Sequence, residues 1–185
     1  MWFFKHGSRE LDLIHVLQNH SYNDILCQNG NFYIVYCNGN VQVFNSANST
    51  YWGIPQPQIN TVGLDVKYYL VESLGDVLLV CVRLFEFEVF EVFRLYASEG
   101  LMKGKWIEVK SLGDQAIFLG SRYSLSFSFH EFTECKANSI YFHRPKLSMH
   151  RIGVYSLETG SIRFIDDSSF FCSDDPGIWV TPYLS

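Results

Sequence analysis

Histidines, cysteines and carboxylates are the reactive side chains of this chain, and their spacing decides what chemistry is open to it. His6, His15, His20, His130, His143 and His150 show no H-E-x-x-H or comparable spacing, whereas a zinc site needs three or four converging donors. His143 and His150 flank a short stretch with Arg144 and Lys146 and read as a surface pair rather than a metal site. Cys27, Cys37, Cys81, Cys135 and Cys172 are odd in number, scattered and never in a C-x-x-C pair, a pattern that fits buried free thiols. Asp76 and Asp114 sit at matching places in two copies of Ser-Leu-Gly-Asp. Together they would suit acid and base work, but an Asp in a turn more commonly bonds back to the turn backbone, so both are assigned structural roles. No G-x-S-x-G elbow activates a serine. Gly100 to Lys105 lacks the spacing of a phosphate loop and reads as a solvated hairpin loop. No catalytic, cofactor-binding or metal-binding residue is therefore assigned.

The elements that must position these residues follow from composition and periodicity. At 185 residues the chain can form one domain with a sizeable core, and 1–185 reads as a single unit. Aromatic residues make up 17% of it, which favours half-buried strands. Base stacking would also require basic neighbours. Those are lacking: 14 Lys and Arg stand against 19 Asp and Glu, for a net charge of −5, so neither nucleic acid nor an anionic membrane is an expected partner. Apolar runs such as Val77 to Val82 are too short to span a bilayer, and Lys5 and His6 end the apolar start before a signal-peptide core could form. The expected location is intracellular, cytoplasmic or nuclear. Asn19-His20-Ser21 and Asn48-Ser49-Thr50 fit the glycosylation pattern but have no use there.

Ser73-Leu74-Gly75-Asp76 returns 38 residues later as Ser111-Leu112-Gly113-Asp114, with apolar flanks on both sides. Each copy is predicted to be strand, turn, strand: Gly75 and Gly113 supply the positive φ, and Ala116 to Leu119 pairs back onto the strand opened by Trp106. Hairpins repeated at this spacing suggest propeller blades. Asn29-Gly30 and Asn38-Gly39 are two further turn signals. They join Tyr22–Cys27, Phe32–Cys37 and Val41–Phe44 into a three-stranded meander. Arg9 to Leu17 is assigned as a strand, and Asn45 to Pro57 as a loop between sheets. Val77 to Leu84 fits burial on both faces. Around Phe85 to Leu95 the alternation slips phase, which marks a bulge or a turn without glycine. Leu125, Phe127 and Phe129 alternate with serines, polar Glu131 to Asn138 separates that sheet from Ser139–His143, and a loop around Pro145 precedes Ile152–Leu157. Glu158-Thr159-Gly160 then turns the chain into Ser161–Ile165. With no sustained helical period, the fold class is all-β: an array of antiparallel meander sheets forming a partial propeller.

Several of these stretches, taken in order, resemble the plant F-box-associated β-propeller family of KIB type, long labelled a domain of unknown function. They are Tyr22-Asn23-Asp24-Ile25 with Asn29-Gly30-Asn31-Phe32-Tyr33, Tyr69 to Val80, Trp106 to Gly120, Glu131-Phe132 with Cys135-Lys136, Asn138 to Phe142, Gly153 to Ile162, and Trp179 to Pro182. The resemblance implies a propeller that, in many members, follows an F-box docked on a ubiquitin-ligase scaffold and selects the substrate. No Leu- and Pro-rich helical F-box precedes Tyr22. The chain therefore reads as a short member or a fragment, and direct contact with the scaffold is not expected.

The resulting expectation is a non-catalytic module that binds another protein through loops at the ends of its sheets. The candidate loops are Asn45 to Pro57, Gly100 to Lys105 and His143 to Arg151. Asp166-Asp167 and Asp174-Asp175 add an acidic surface that a basic patch could meet. Two other readings stand beside this one: a truncated product without independent activity, and an enzyme with a pocket at the propeller centre.

Overall fold

Asn29 and Gly30 take φ of 49° and 74°, the pair of positive values that a two-residue hairpin needs to match the twist of its strands. In the computed structural model, which describes residues 2–4, 11–13, 21–59, 65–83, 88–98, 103–121, 123–130, 135–146 and 149–165, every regular element is a strand. β1 (Trp2–Phe4) and β2 (Leu11–Leu13) pair antiparallel. The rest of the predicted Arg9–Leu17 strand lies outside the described residues.

The first large sheet is β3 (Tyr22–Gln28), β4 (Asn31–Tyr36), β5 (Val41–Asn45) and β6 (Thr50–Ile54), in that spatial order. It has four strands rather than the predicted three, because the loop assigned to Asn45–Pro57 contains β6. The polar composition that suggested a loop is confined to a tight turn. There Asn45 Oδ1 accepts from the amides of Ala47 and Asn48, Asn48 Oδ1 accepts from Thr50, and Ser49 has φ 56°. Asn38-Gly39 also reverses the chain, across a wider loop than two residues. The Gly39 amide bonds Tyr36 O, the Tyr36 amide bonds Asn40 O, and only Gly39 has positive φ, as in a type I turn closed by a glycine bulge.

The second sheet is a four-stranded meander of β7 (Val66–Ser73), β8 (Asp76–Arg83), β9 (Val89–Ser98) and β10 (Lys103–Val109). Leu74 and Gly75, at φ 53° and 84°, form the two-residue turn between β7 and β8. From Val77 to Val82, β8 is buried on both faces. The phase slip is the reversal between Arg83 and Val89, which are register partners; residues 84–87 lie outside the description. Lys103-Gly104-Lys105 belongs to β10 rather than to a loop, paired with Ser98-Ala97-Tyr96. Gly104 packs closely there, since a Cβ on it would lie 2.7 Å from Leu95 Cδ1 and 3.3 Å from Ile54 Cδ1, and those side-chain ends would have to shift to admit one.

The second Ser-Leu-Gly-Asp does something else. Among the described strands β10 pairs only with β9, and β11 (Gln115–Leu119) belongs to the third sheet. The predicted hairpin between the Trp106 strand and Ala116–Leu119 does not form, and Ser111–Asp114 is the crossing between sheets. Gly113 still has φ 63°, and the Gln115 amide still bonds Leu112 O. Leu112, however, is buried in the core between sheets, and its amide is held by Asn138 Oδ1. These contacts outweigh the local preference for a hairpin. The third sheet runs β12 (Leu125–Ser128), β11, β13 (Ser139–Lys146), β14 (Met149–Ser156) and β15 (Ile162–Ile165). β13 lies parallel to β11, so Ser139–His143 joins the sheet from which the polar stretch was expected to separate it. Pro145 lies within β13, opposite His150. Pairing with β11 ends at Phe142, so beyond it one edge of β13 carries no described partner strand, and there a residue without an N–H is tolerated. The predicted loop His143–Arg151 is therefore mostly a β-hairpin.

Alternation assigns each face its core. Val35, Val41, Val43 and Ile54 of the first sheet pack on Leu70, Leu79, Cys81 and Phe93 of the second. On its other face, Val71, Leu78, Val80 and Val92 pack on Ile117, Leu119, Ile140 and Phe142 of the third. β7 packs beside β3 on one side and beside β12 and β11 on the other, so the inner edges of all three sheets meet along β7. This is the stacking of blades around a propeller axis.

Candidate interaction surface

An edge strand exposes unpaired backbone donors, and on β7 side chains from β3 meet them. Asn23 Oδ1 accepts from the Tyr68 amide at 3.0 Å, and Asp24 Oδ2 accepts from the Leu70 amide at 2.9 Å. The register of β3 shifts between Tyr22 and Asp24, a bulge that lets both consecutive side chains reach the neighbouring sheet. Burial raises the Asp24 pKa above its ordinary value, outweighing the bonds from Leu70 and Ile25 and the attraction of Lys67. On the other side of β7, the hydroxyls of Ser73 and Ser126 lie 2.8 Å apart and Gln115 joins them. These seam residues gave little signal in the sequence; the only hint was a polar Asn-Asp pair opening an otherwise apolar strand.

Two sets of connections lie at the ends of the seams. At one end lie Asn29-Gly30, the turn at 46–49, Leu74-Gly75 and the Ser111–Asp114 crossing. Gln28 Nε2 donates to Gly75 O, Ser46 Oγ donates to Gly30 O, and the Gly75 amide donates to Glu72. Glu72 and Ser111 also cap the two turns, and Asp114 bonds its own backbone amide within its turn. Asp76 instead faces Arg94 at 3.2 Å. Asp114 accepts from Gln115 and Ser128, bonds that lower its pKa, with His130 Nε2 at 3.9 Å. The two carboxylates thus have separate partners.

At the opposite end lie the Cys37–Asn40 turn and the segment after β6. A mainly apolar groove of about 490 Å³ is walled by Tyr36, Tyr51, Trp52 and Pro55, with Gly53 in its lining. A more polar cavity of about 780 Å³ is lined by Asn23, Cys37, Gln56, Asp65, Lys67 and Tyr68. Asn38 borders both. Burial pushes the Tyr68 hydroxyl up to about 12, with Cys81, Cys37 and Glu91 adding to it. Burial, and then Glu91, also drives the Cys81 thiol strongly upward. Both shifts favour the protonated forms near neutral pH. The expectation of uniformly buried thiols is corrected: Cys81 is buried, but Cys27 and Cys37 are exposed, because they sit at the open ends of β3 and β4 rather than mid-strand. His6, His15, His20, Cys172, both Asp pairs and Trp179–Pro182 lie outside the described residues. Among the described residues no cluster of three or more His, Cys, Asp or Glu is arranged to hold a metal ion, and no helix is long and apolar enough to cross a membrane.

Comparison with known proteins adds a family. The family model described as KIB1-4 beta-propeller matches residues 1–156. An F-box protein of Arabidopsis thaliana is 40% identical over 80 residues, 43% of this chain and 18% of the relative. A second F-box protein of that plant is 36% identical over 81 residues, 44% of this chain and 20% of its own length. A probable F-box protein is 39% identical over 59 residues, 32% and 16%. The chain therefore covers about a fifth or less of the curated relatives it matches.

Proposed function

Since the chain belongs to the KIB1-4 beta-propeller family, we propose that it is a non-catalytic module whose sheet ends bind another protein. Its counterpart in the F-box relatives would be the part that selects the protein to be ubiquitinated. The observation that carries this reading is the contrast between the open sheet ends and the titratable groups of the chain. The turn at Leu74-Gly75 is held by Gln28 and Glu72 and a mainly apolar groove opens at the other end, while burial raises the pKa of Tyr68 and of Cys81 and Asp76 and Asp114 face Arg94 and His130. The net charge of −5 favours a protein partner over nucleic acid. The chain acts as one domain in the cytoplasm or nucleus, which a fluorescent fusion and a single cooperative melting transition would test.

Affinity purification from plant tissue with quantitative mass spectrometry tests the binding role. Reproducible, saturable capture of a protein supports it. Recovery of ubiquitin-ligase scaffold subunits along with that protein would overturn the sequence-based expectation that this chain does not contact the scaffold. Capture of nothing above background would favour the reading of a product with no independent activity.

A further inference from the structure

The two copies of Ser-Leu-Gly-Asp use their leucines in opposite ways. Leu112 is buried against the core between the second and third sheets. Leu74 is 77% exposed, more than any other large apolar residue described. It also holds φ 53°, a region that disfavours a leucine and suits Asn, Asp or Gly. Among the described residues Leu74 belongs to none of the core clusters. The turn beneath it is nonetheless fixed on three sides, by Glu72 on the Gly75 amide, by Gln28 on Gly75 O, and by Ser73 against Ser126. The result is a rigid apolar knob, which loses little freedom when it enters a pocket.

Its surroundings set the chemistry of the partner. Glu72 is exposed beside the knob, and the bonds from Ser73 through Ser126 and Gln115 lead to the exposed carboxylate of Asp114. Asp76 is matched by Arg94 and Asp114 has the imidazole of His130 at 3.9 Å, so Glu72 and the outer side of Asp114 are the acidic groups left facing outward. We propose that this end of the sheets is a docking face, with Leu74 entering an apolar pocket of a partner protein whose rim carries lysine or arginine opposite Glu72 and Asp114. A second copy of this chain, at net charge −5, would meet acid with acid. The inference deepens the binding role proposed above and rests on it.

The test compares the intact chain with Leu74→Asn and with the double variant Glu72→Gln/Asp114→Asn in quantitative capture from plant tissue, followed by photo-crosslinking from position 74. Asn suits the turn, so Leu74→Asn should melt no lower than the original chain, which separates lost binding from lost fold. The expected result is a captured protein whose recovery falls about tenfold or more with Leu74→Asn. Its recovery should also fall with the double variant and in about 0.5 M salt, and its cross-linked site should be apolar with basic neighbours. Capture that Leu74→Asn leaves unchanged would overturn this docking face while leaving the binding role intact. A cross-link to a second copy of the chain would do the same. Capture of nothing by any form would overturn both.

Discussion

Gly75 and Gly53 allow the same chemical change to be made at two sites that differ in one respect. An added Cβ would meet nothing within 4 Å at either position, yet Gly75 has φ 84° and Gly53 lies within β6 with no positive φ. Packing therefore drops out of the comparison, and only the backbone and the unfolded state remain. Gly53→Ala removes freedom from the unfolded chain at a position that accommodates alanine, a gain of about 0.4–1 kcal/mol. Gly75→Ala gains the same in the unfolded state, but must hold an L-residue in the left-handed region at a cost of about 1–2 kcal/mol. The two variants should differ by roughly 1–2 kcal/mol, or about 2–8 °C in melting temperature for a chain of this size. Circular dichroism melts together with urea titrations measure this directly. Equal shifts in the same direction would refute the assignment of a left-handed turn at Gly75, and with it the hairpin between β7 and β8.

Other substitutions probe other links. Gly113→Val should destabilise by about 1 kcal/mol or more, because φ 63° persists even though this copy is a crossing; unchanged melting would count against that turn. Leu79 is fully buried in the core between the first two sheets, so Leu79→Ala should cost about 2–5 kcal/mol in urea titrations, and a loss below about 1 kcal/mol would mean that those sheets do not pack as described. The Asp24 carboxyl has its folded pKa raised above 3.8, first by burial. Between 3.8 and that raised value the folded chain binds more protons than the unfolded one, so stability falls as pH rises through the window. In paired urea titrations across it, the stability of the original chain relative to Asp24→Asn should be greatest below the window and decline through it. A flat difference would place Asp24 in water rather than in the seam. Asn138, at φ 52°, holds the Leu112 amide through its side chain. Asn138→Gly, which keeps the backbone and deletes that bond, should therefore lower stability by about 0.5–1.5 kcal/mol.

Much of the fold was legible because its signals are local. Asn29-Gly30 is a strong two-residue turn signal on its own, Gly75 supplies the positive φ that its turn needs, and the unbroken apolar run of β8 suits a strand covered on both faces. What the sequence hid depends on contacts between distant residues. Ser111–Asp114 carries the same four residues as Ser73–Asp76, but whether the chain turns back or crosses is settled by the pocket for Leu112 and by Asn138, which lies 26 residues away. β6 was hidden because the Asn-rich turn before it and Gly53 within it look like loop, and the pairing of Val43 with Trp52 that makes it a strand is not local. β13 was cut short by Pro145, whose missing N–H matters only where a second strand lies alongside. Of the surface, the turns could be placed, but the Asn23-Asp24 seam and the exposure of Leu74 depend on which sheet stands next to which. Composition is silent on that.

Binding without chemistry is the central claim, and one measurement addresses both halves of it. The captured partner, purified, is titrated into the intact chain by calorimetry, and its intact mass is recorded before and after prolonged incubation with a small molar amount of the chain. Saturable binding with the partner's mass unchanged is the expected result. A mass change that continues through many turnovers, or heats that never saturate, would contradict it.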